Sequence, residues 1–166
     1  MNVKFERLFK TKADLEGISQ TDPFYVAACA VNIMCSYAPK EQDNFIEMLQ
    51  VLMGDVQPIT NYLKQNIKDR MASNEKWKYI GKSYFKGATP ANNYEPIIPY
   101  EVEIEENNYS YSQEGMAKLF IKCGGADSPR PIVLRKLKDG RWLIWSDTIV
   151  GLMTGIKQPE SLNPWA

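Results

Sequence analysis

Residues 132–145 read IVLRKLKDGRWLIW, two apolar-rich segments on either side of Asp139-Gly140. An Asp-Gly pair between two such segments predicts a β-hairpin with a two-residue turn. That turn pairs Leu137 with Trp142 and Arg135 with Ile144. The C-terminal part of the chain is therefore expected to form an antiparallel sheet, with residues 132–138 and 141–145 as its last two strands.

Three earlier segments alternate apolar and charged side chains with a period of two, which is typical of half-buried strands. Residues 76–86 place Trp77, Tyr79 and Phe85 between lysines. Residues 100–105 alternate apolar side chains with three glutamates, and residues 117–123 alternate them with two lysines. With the hairpin, these segments predict a sheet of about five strands.

The first seventy residues have the period of helices instead. Asp22 is placed to cap a helix that opens with Pro23, and from residue 24 to residue 37 only Asn32 and Ser36 are polar. A helix that is apolar on nearly all sides is expected at the centre of the core. Two more helices are predicted, one from about Glu41 to Met53, ended by Gly54, and one from Pro58 to about Met71.

Helices followed by an antiparallel sheet predict an α+β fold. We expect a single α+β domain over residues 1–166, with about three N-terminal helices packed on one face of a curved antiparallel sheet. Residues 1–20 have no clean period and predict a short helix or an edge strand, and residues 147–166 are expected to pack back over the core. The order of elements is broadly similar to that of the nuclear-transport-factor-like α+β rolls, which have many different functions.

The composition excludes several kinds of chemistry. The chain has 166 residues, 20 basic and 20 acidic side chains, three cysteines and no histidine. Without histidine there is no Ser-His-Asp or Cys-His nucleophile and no imidazole zinc site. We predict no cofactor and no bound metal. The charged N-terminus, the odd number of cysteines and the lack of an apolar run of about 20 residues indicate a cytoplasmic protein.

Three stretches resemble a known family: Gly87-Ala88-Thr89-Pro90-Ala91-Asn92-Asn93-Tyr94, Cys123-Gly124-Gly125-Ala126-Asp127-Ser128-Pro129-Arg130-Pro131-Ile132 and Asn163-Pro164-Trp165. Together with the apolar helix, they resemble a family of bacterial proteins known only as a domain of unknown function, found mostly in low-GC Gram-positive bacteria. The likeness covers about residues 22–166. It implies a bacterial, intracellular protein and brings no activity, cofactor or catalytic residue with it.

Two charged segments have a functional and a structural interpretation. The lysines and aromatic rings of residues 76–86 are a pattern that binds nucleic acid, but alternation points the lysines to water and three of the rings to the core, which favours a structural role. The acidic row of residues 101–105 is a pattern that binds divalent cations. Cross-strand ion pairs with basic side chains of the next strand are the favoured alternative; the residues are Glu101, Glu103 and Glu105, with Lys118 and Lys122 opposite.

The loop from Cys123 to Pro131 has three interpretations. Its two glycines, with Asp127, Ser128 and Arg130, are compatible with a nest of backbone N–H groups that binds a small anion. It lacks the lysine and the following helix of a P-loop, so a plain connection between strands is the favoured interpretation, with a contact to a partner as the third. The cysteines are expected to be inert, and Cys123 is the one placed for exposure.

Arg135 is the strongest candidate for a ligand-binding side chain. With the two-residue turn it lies on an apolar face, where it can bind an anionic group in a pocket shared with Trp142 or Tyr79. Extension toward the sheet edge and pairing with a carboxylate are the alternatives. A turn longer by one residue moves Arg135 to the other face.

The sequence therefore favours a non-catalytic binding or interaction module over an enzyme. The expected partner is a protein or a small anionic ligand, and neither nucleic acid nor a membrane is favoured; no pattern indicates a particular oligomeric state. The alternative is a small enzyme of the α+β-roll type, which uses Asp, Glu or Tyr for acid–base chemistry near Arg135. Such an enzyme needs a buried carboxylate with a raised pKa.

Overall fold

The computed structural model describes residues 1–165 and confirms the α+β class. The three α-helices are α1 (Pro23–Met34), α2 (Gln42–Met53) and α3 (Asn61–Ala72). The five strands are β1 (Asn2–Phe5), β2 (Tyr100–Glu105), β3 (Met116–Ile121), β4 (Arg130–Lys136) and β5 (Trp142–Ile144). Short 3₁₀ turns lie between them, at Lys12–Leu15, Pro39–Glu41, Ser73–Lys78, Lys82–Tyr84, Pro90–Asn92, Thr148–Met153 and Glu160–Leu162.

The strands form one curled antiparallel sheet in the order β1-β2-β3-β4-β5. Helix α1 contacts every strand of this sheet, and α2 packs against α1 and β5. Every residue of α1 from Val26 to Met34 is buried. The side chain of Asp22 accepts a hydrogen bond from the backbone N–H of Phe24 at 2.9 Å and caps the helix. The prediction of a central, almost wholly apolar helix is confirmed.

The polar positions of this central helix hold the N-terminal segment in place. Asn32 is fully buried; its Oδ1 accepts from the backbone N–H of Phe9 at 2.7 Å, and its Nδ2 donates to the carbonyl of Arg7 at 3.3 Å. The hydroxyl of Ser36 donates to the carbonyl of Phe9. The segment thus docked follows β1, which pairs with β2 at the edge of the sheet.

The third helix begins later than the sequence pattern predicts. Thr60 caps it by accepting a hydrogen bond from the backbone N–H of Leu63 at 3.1 Å, so the first helical residue is Asn61 rather than Pro58. Helix α2 ends at Met53, as predicted, and Gly54 follows with a φ of 75°. The connection between α2 and α3 therefore spans residues 54–60.

Residues 76–84 form 3₁₀ and other turns, and Phe85 makes an isolated β-bridge to Val102, so the prediction of a strand over residues 76–86 is wrong. Asn74 and Glu75 have positive φ angles and turn the chain before this segment. A Cβ on Gly81 would lie 2.7 Å from the Sγ of Cys35, so the segment packs closely on the end of α1. Tyr84 is buried like its neighbour Phe85, which a half-buried strand does not allow. The fifth strand of the sheet is β1 instead.

The register of the hairpin differs by one residue from the prediction. Arg135 pairs with Leu143 rather than Ile144, and Lys136 pairs with Trp142. The backbone N–H of Leu137 donates to the carbonyl of Arg141 at 2.8 Å, which closes a three-residue loop ending in Gly140 with a φ of 94°. Arg135 therefore lies on the face opposite to the core.

The acidic row on β2 forms ion pairs, as favoured, but only partly with the predicted partners. Lys122 lies 3.2 Å from Glu103 and 3.4 Å from Glu105. Glu101 instead pairs with Lys4 at 3.8 Å and with Lys86 at 3.6 Å. Within residues 1–165, Lys118 forms no ion pair with these glutamates, so the prediction that it lies opposite them is wrong. Its backbone N–H donates to the carbonyl of Ser110 in the β2–β3 loop at 2.9 Å, and its Nζ is 5.9 Å from the centre of the Phe120 ring.

Part of the C-terminal segment packs on the core. Ile149, Leu152 and Met153 are buried, and the hydroxyl of Tyr84 donates to the carbonyl of Leu152 at 2.7 Å. The last residue of the predicted tail, Ala166, lies outside the described residues. Within residues 1–165, no helix has the length and apolar character needed to cross a bilayer.

Candidate functional site

An open groove of about 650 Å³ lies between the β4–β5 hairpin and the α2–α3 connection. We call it the hairpin groove. Its volume lies within the range of small-molecule sites, roughly 300–1,000 Å³. Its lining comes from the end of α2, the connection, the start of α3, and the hairpin with the residues after it: Met53, Val56, Gln57, Pro58, Thr60, Tyr62, Leu63, Arg135, Lys136, Leu137, Lys138, Leu143, Trp145, Ser146 and Asp147.

The floor of the hairpin groove is apolar, and part of its rim is apolar as well. Met53, Leu63 and Leu143 are buried and provide the floor. Val56 and Tyr62 are 66% and 75% exposed. Exposed apolar side chains beside a concave apolar surface are a feature of ligand and partner sites, because burying them removes apolar area from water.

Gln57 holds the two walls of the groove together. Its Nε2 donates to the carbonyl of Ile144 at 3.0 Å, and its Oε1 accepts from the backbone N–H of Ser146 at 2.8 Å. The side-chain amide thus pairs with the free edge of β5. At Gly54 the connection comes so close to the hairpin that a Cβ there would lie 2.7 Å from a methyl carbon of Leu143.

The hairpin wall of the groove is cationic. Arg135, Lys136 and Lys138 line it, against one carboxylate, that of Asp147. Within residues 1–165, none of these four side chains is part of an ion pair. The guanidinium carbon of Arg135 lies 4.6 Å from the centre of the Trp145 ring, a cation–π contact that orients the guanidinium at the rim.

This arrangement is suited to binding an amphipathic anion. An apolar floor beside unpaired cations attracts a molecule that has an apolar body and an anionic group. A general acid or base with a shifted pKa normally needs a buried or charge-coupled carboxylate. No Asp or Glu in the described part of the chain is buried, and Asp147 is exposed.

The structure separates the residues that the sequence placed around one pocket. Arg135 lines the hairpin groove, although on the face opposite to the predicted one. Trp142 lies outside the groove lining; its backbone N–H donates to the carbonyl of Gln20 at 2.6 Å, and the Nζ of Lys136 lies 5.7 Å from its ring. Tyr79 is buried elsewhere and stacks on Tyr94, with ring centres 5.5 Å apart.

The loop from Cys123 to Pro131 uses its polar groups within the protein. Asp127 lies 2.8 Å from the Nζ of Lys157, and this ion pair lowers the pKa of the carboxyl. Arg130 donates to the carbonyls of Thr154 and Gly155 and holds the tail. Ser128 is exposed.

Two backbone N–H groups of the same loop have acceptors inside the protein as well. That of Gly124 donates to the carbonyl of Ser83 at 2.8 Å, and that of Ala126 donates to the carbonyl of Cys123. The glycines permit close packing, because a Cβ on Gly124 would lie 2.0 Å from the carbonyl oxygen of Ala88. These contacts support the favoured interpretation of the loop as a connection.

Burial disfavours the thiolates of two cysteines. Desolvation raises the pKa of Cys29 and of Cys35 to about 12. Cys123 is half-buried, and its thiol lies 3.3 Å from the hydroxyl of Ser83, to which it donates. The arrangement agrees with inert thiols.

Sequence reasoning missed most of the groove. Leu143, Trp145 and Asp147 lie within five residues of Trp142 along the chain. The predicted register paired Arg135 with Ile144, so it grouped Arg135 with Trp142 and Ile144 rather than with these three side chains. Val56 and Tyr62 lie beside Pro58, which appeared to open a helix. The sequence signals for this wall are the apolar Val56 in so short a connection, since connections are normally polar, and the aromatic Tyr62 in the first turn of α3.

The fold is that of an α+β protein with an open groove that has cationic side chains on one wall. The chain belongs to the family described as Domain of unknown function (DUF6935), which it matches over residues 8–160. This match confirms the resemblance to a domain of unknown function. No curated protein and no solved structure matches the chain.

Proposed function

We propose that this chain is a non-catalytic binding protein and that the hairpin groove is its binding site. The observation that carries the proposal is the exposed apolar surface of the groove, with Val56 and Tyr62 at its rim and Leu143 in its floor. An isolated apolar residue on a surface needs no explanation, but several around one concavity do.

Two further features support binding rather than a reaction. The sequence has no histidine, and no carboxylate in residues 1–165 is buried, so the groove has no strong general base. The loop at residues 123–131, for which a partner contact is one of the interpretations, packs at Gly124 on Ala88 of the same chain. The groove lies at the other end of β4, about 17 Å away over the five residues from Arg130 to Arg135. We propose a cytoplasmic location in a bacterium, as the family resemblance implies.

The test uses N-phenyl-1-naphthylamine, an uncharged apolar dye that becomes fluorescent when it leaves water. We expect saturable binding to the wild-type chain. The variant Val56→Ser removes apolar surface from the groove rim and should weaken binding of the dye. Leu162→Ser is the matched control, because Leu162 is 61% exposed, similar to Val56, and does not line the groove.

Two results would contradict the proposal. One is the absence of saturable binding by the folded wild-type chain. The other is equal binding by both serine variants and the wild type, which would place the dye elsewhere. Melting temperatures of all three proteins, measured without dye, establish that each is folded.

A further inference from the structure

We infer that the ligand of the hairpin groove is an organic acid, with an apolar body on the groove floor and a carboxylate paired with Arg135. This inference rests on the proposed function and adds the chemical class of the ligand. It depends on how Arg135 differs from the other arginines of the chain.

The chain has five arginines, and four of them donate hydrogen bonds to acceptors of the protein itself. Arg7 donates to Asp14, Arg70 to Asn66 and Thr154, Arg130 to two carbonyls of the tail, and Arg141 to Asp139. Within residues 1–165 the guanidinium of Arg135 has no such acceptor; its contact is the ring of Trp145. A guanidinium placed over a ring keeps the N–H groups at its edge available.

A carboxylate is the acceptor that fits this position. Its two oxygens match the parallel N–H donors of a guanidinium in a bidentate pair. Lys136 and Lys138 add positive charge on the same wall, and Asp147 is the one carboxylate of the groove lining. A neutral apolar molecule would fill the floor equally well but would leave these cations without a partner.

The groove also limits the rest of the ligand. Met53, Leu63 and Leu143 form an apolar floor beside the guanidinium, so the part of the ligand next to its carboxylate is expected to be hydrocarbon. A molecule with polar groups along its whole length would lose hydrogen bonds to water on this floor. The predicted ligand is therefore amphipathic, with its charge at one end.

The test compares octanoate with 1-octanol, which has the same chain length and no charge. Each compound displaces N-phenyl-1-naphthylamine from the wild-type chain, and its inhibition constant is measured at fixed ionic strength. We expect octanoate to bind about tenfold more tightly than 1-octanol, as one charge-assisted pair predicts. In Arg135→Gln this preference should disappear while the affinity of the uncharged dye is unchanged.

Arg141→Gln is the matched control, since it removes the same charge from the same hairpin at a residue outside the groove lining. It should keep the preference for octanoate, and Asp147→Asn should increase that preference. Equal binding of octanoate and 1-octanol to the wild type, or equal losses in the two arginine variants, would overturn the assignment of an organic acid. Dye binding in those same proteins would leave the proposed function intact, whereas absent dye binding would contradict the proposed function itself.

Discussion

Replacing Asn32 by alanine tests how the fold holds its N-terminal segment. In the wild type the buried side-chain amide accepts a hydrogen bond from the backbone N–H of Phe9 at 2.7 Å. Phe9 is 7% exposed, so water cannot easily replace this acceptor. The other partner, the carbonyl of Arg7, belongs to an exposed residue and can be hydrated again.

The expected loss follows from these contacts. A buried N–H left without an acceptor costs about 1–3 kcal/mol. The space left by the amide adds about 1 kcal/mol, since a few heavy atoms leave a packed core. Alanine returns about 0.6 kcal/mol through its higher helix propensity. The free energy of unfolding should therefore fall by about 1.5–3.5 kcal/mol, which corresponds to a melting temperature lower by roughly 3–14 °C for a chain of this size.

The assay is urea unfolding followed by tryptophan fluorescence, with the slope of the transition compared between proteins. Asn44→Ala is the control: Asn44 also holds the N-terminal segment, by donating to the carbonyl of Lys10, but this contact is exposed. It should cost no more than about 0.5 kcal/mol. If both variants shift the midpoint by the same small amount, the buried amide of Asn32 does not anchor the N-terminal segment.

Two further predictions concern a close contact and a titrating carboxyl group. Gly124→Ala forces a Cβ to within 2.0 Å of the Ala88 carbonyl oxygen and should lower the free energy of unfolding by about 1–3 kcal/mol or more. Gly151→Ala is the control: its Cβ would have its nearest atom at 4.0 Å, so this variant should be neutral or stabilising. Urea unfolding measures both, and equal effects of the two substitutions would refute this expectation. Hydrogen bonds from two backbone N–H groups and Arg7 lower the pKa of Asp14 to about 2, from 3.8. Because the pKa of Asp14 is lower in the folded chain, its contribution to stability is complete above pH 3.8 and is lost as pH falls toward 2. The difference in melting temperature between the wild type and Asp14→Asn should therefore disappear over that interval. A difference that stays constant with pH would contradict this.

Local patterns predicted the elements whose conformation local chemistry determines. Helix α1 followed from Asp22-Pro23 and an apolar run, and the structure places it against every strand. Strand β2 has its predicted limits, residues 100–105, and each of its three glutamates forms an ion pair with a lysine on a solvated face. In these elements propensity, capping and burial all favour the same conformation.

The strand prediction for residues 76–86 is wrong because a tertiary contact determines the conformation of this segment. Its alternation of lysines and rings is that of a strand, but the turn at Asn74 and Glu75 directs the chain onto the end of α1. There Gly81 packs against Cys35, which is 46 positions earlier in the sequence. No local pattern contains this contact.

The position of Arg135 depended on one residue of register. Asp-Gly fits the last two positions of a three-residue loop as well as a two-residue turn, since both place glycine at positive φ. The longer loop moved Arg135 away from the core. The sequence therefore identified the side chain as a candidate ligand-binding group but assigned it to the wrong face of the sheet.

The hairpin groove exists because a side chain, and not a further strand, covers part of the free edge of β5. β5 is an edge strand, and an uncovered edge invites pairing with other chains. Gln57 covers part of it with a side-chain amide, across 87 positions of sequence. A backbone strand in that place would lie about 4.8 Å from β5. Because a side chain makes the bridge, the backbone of the connection can stand farther off, which leaves room for the groove between Val56 and the hairpin. The cations are local to the hairpin, but the concavity they border is created by a distant residue, so it became visible only in the folded chain.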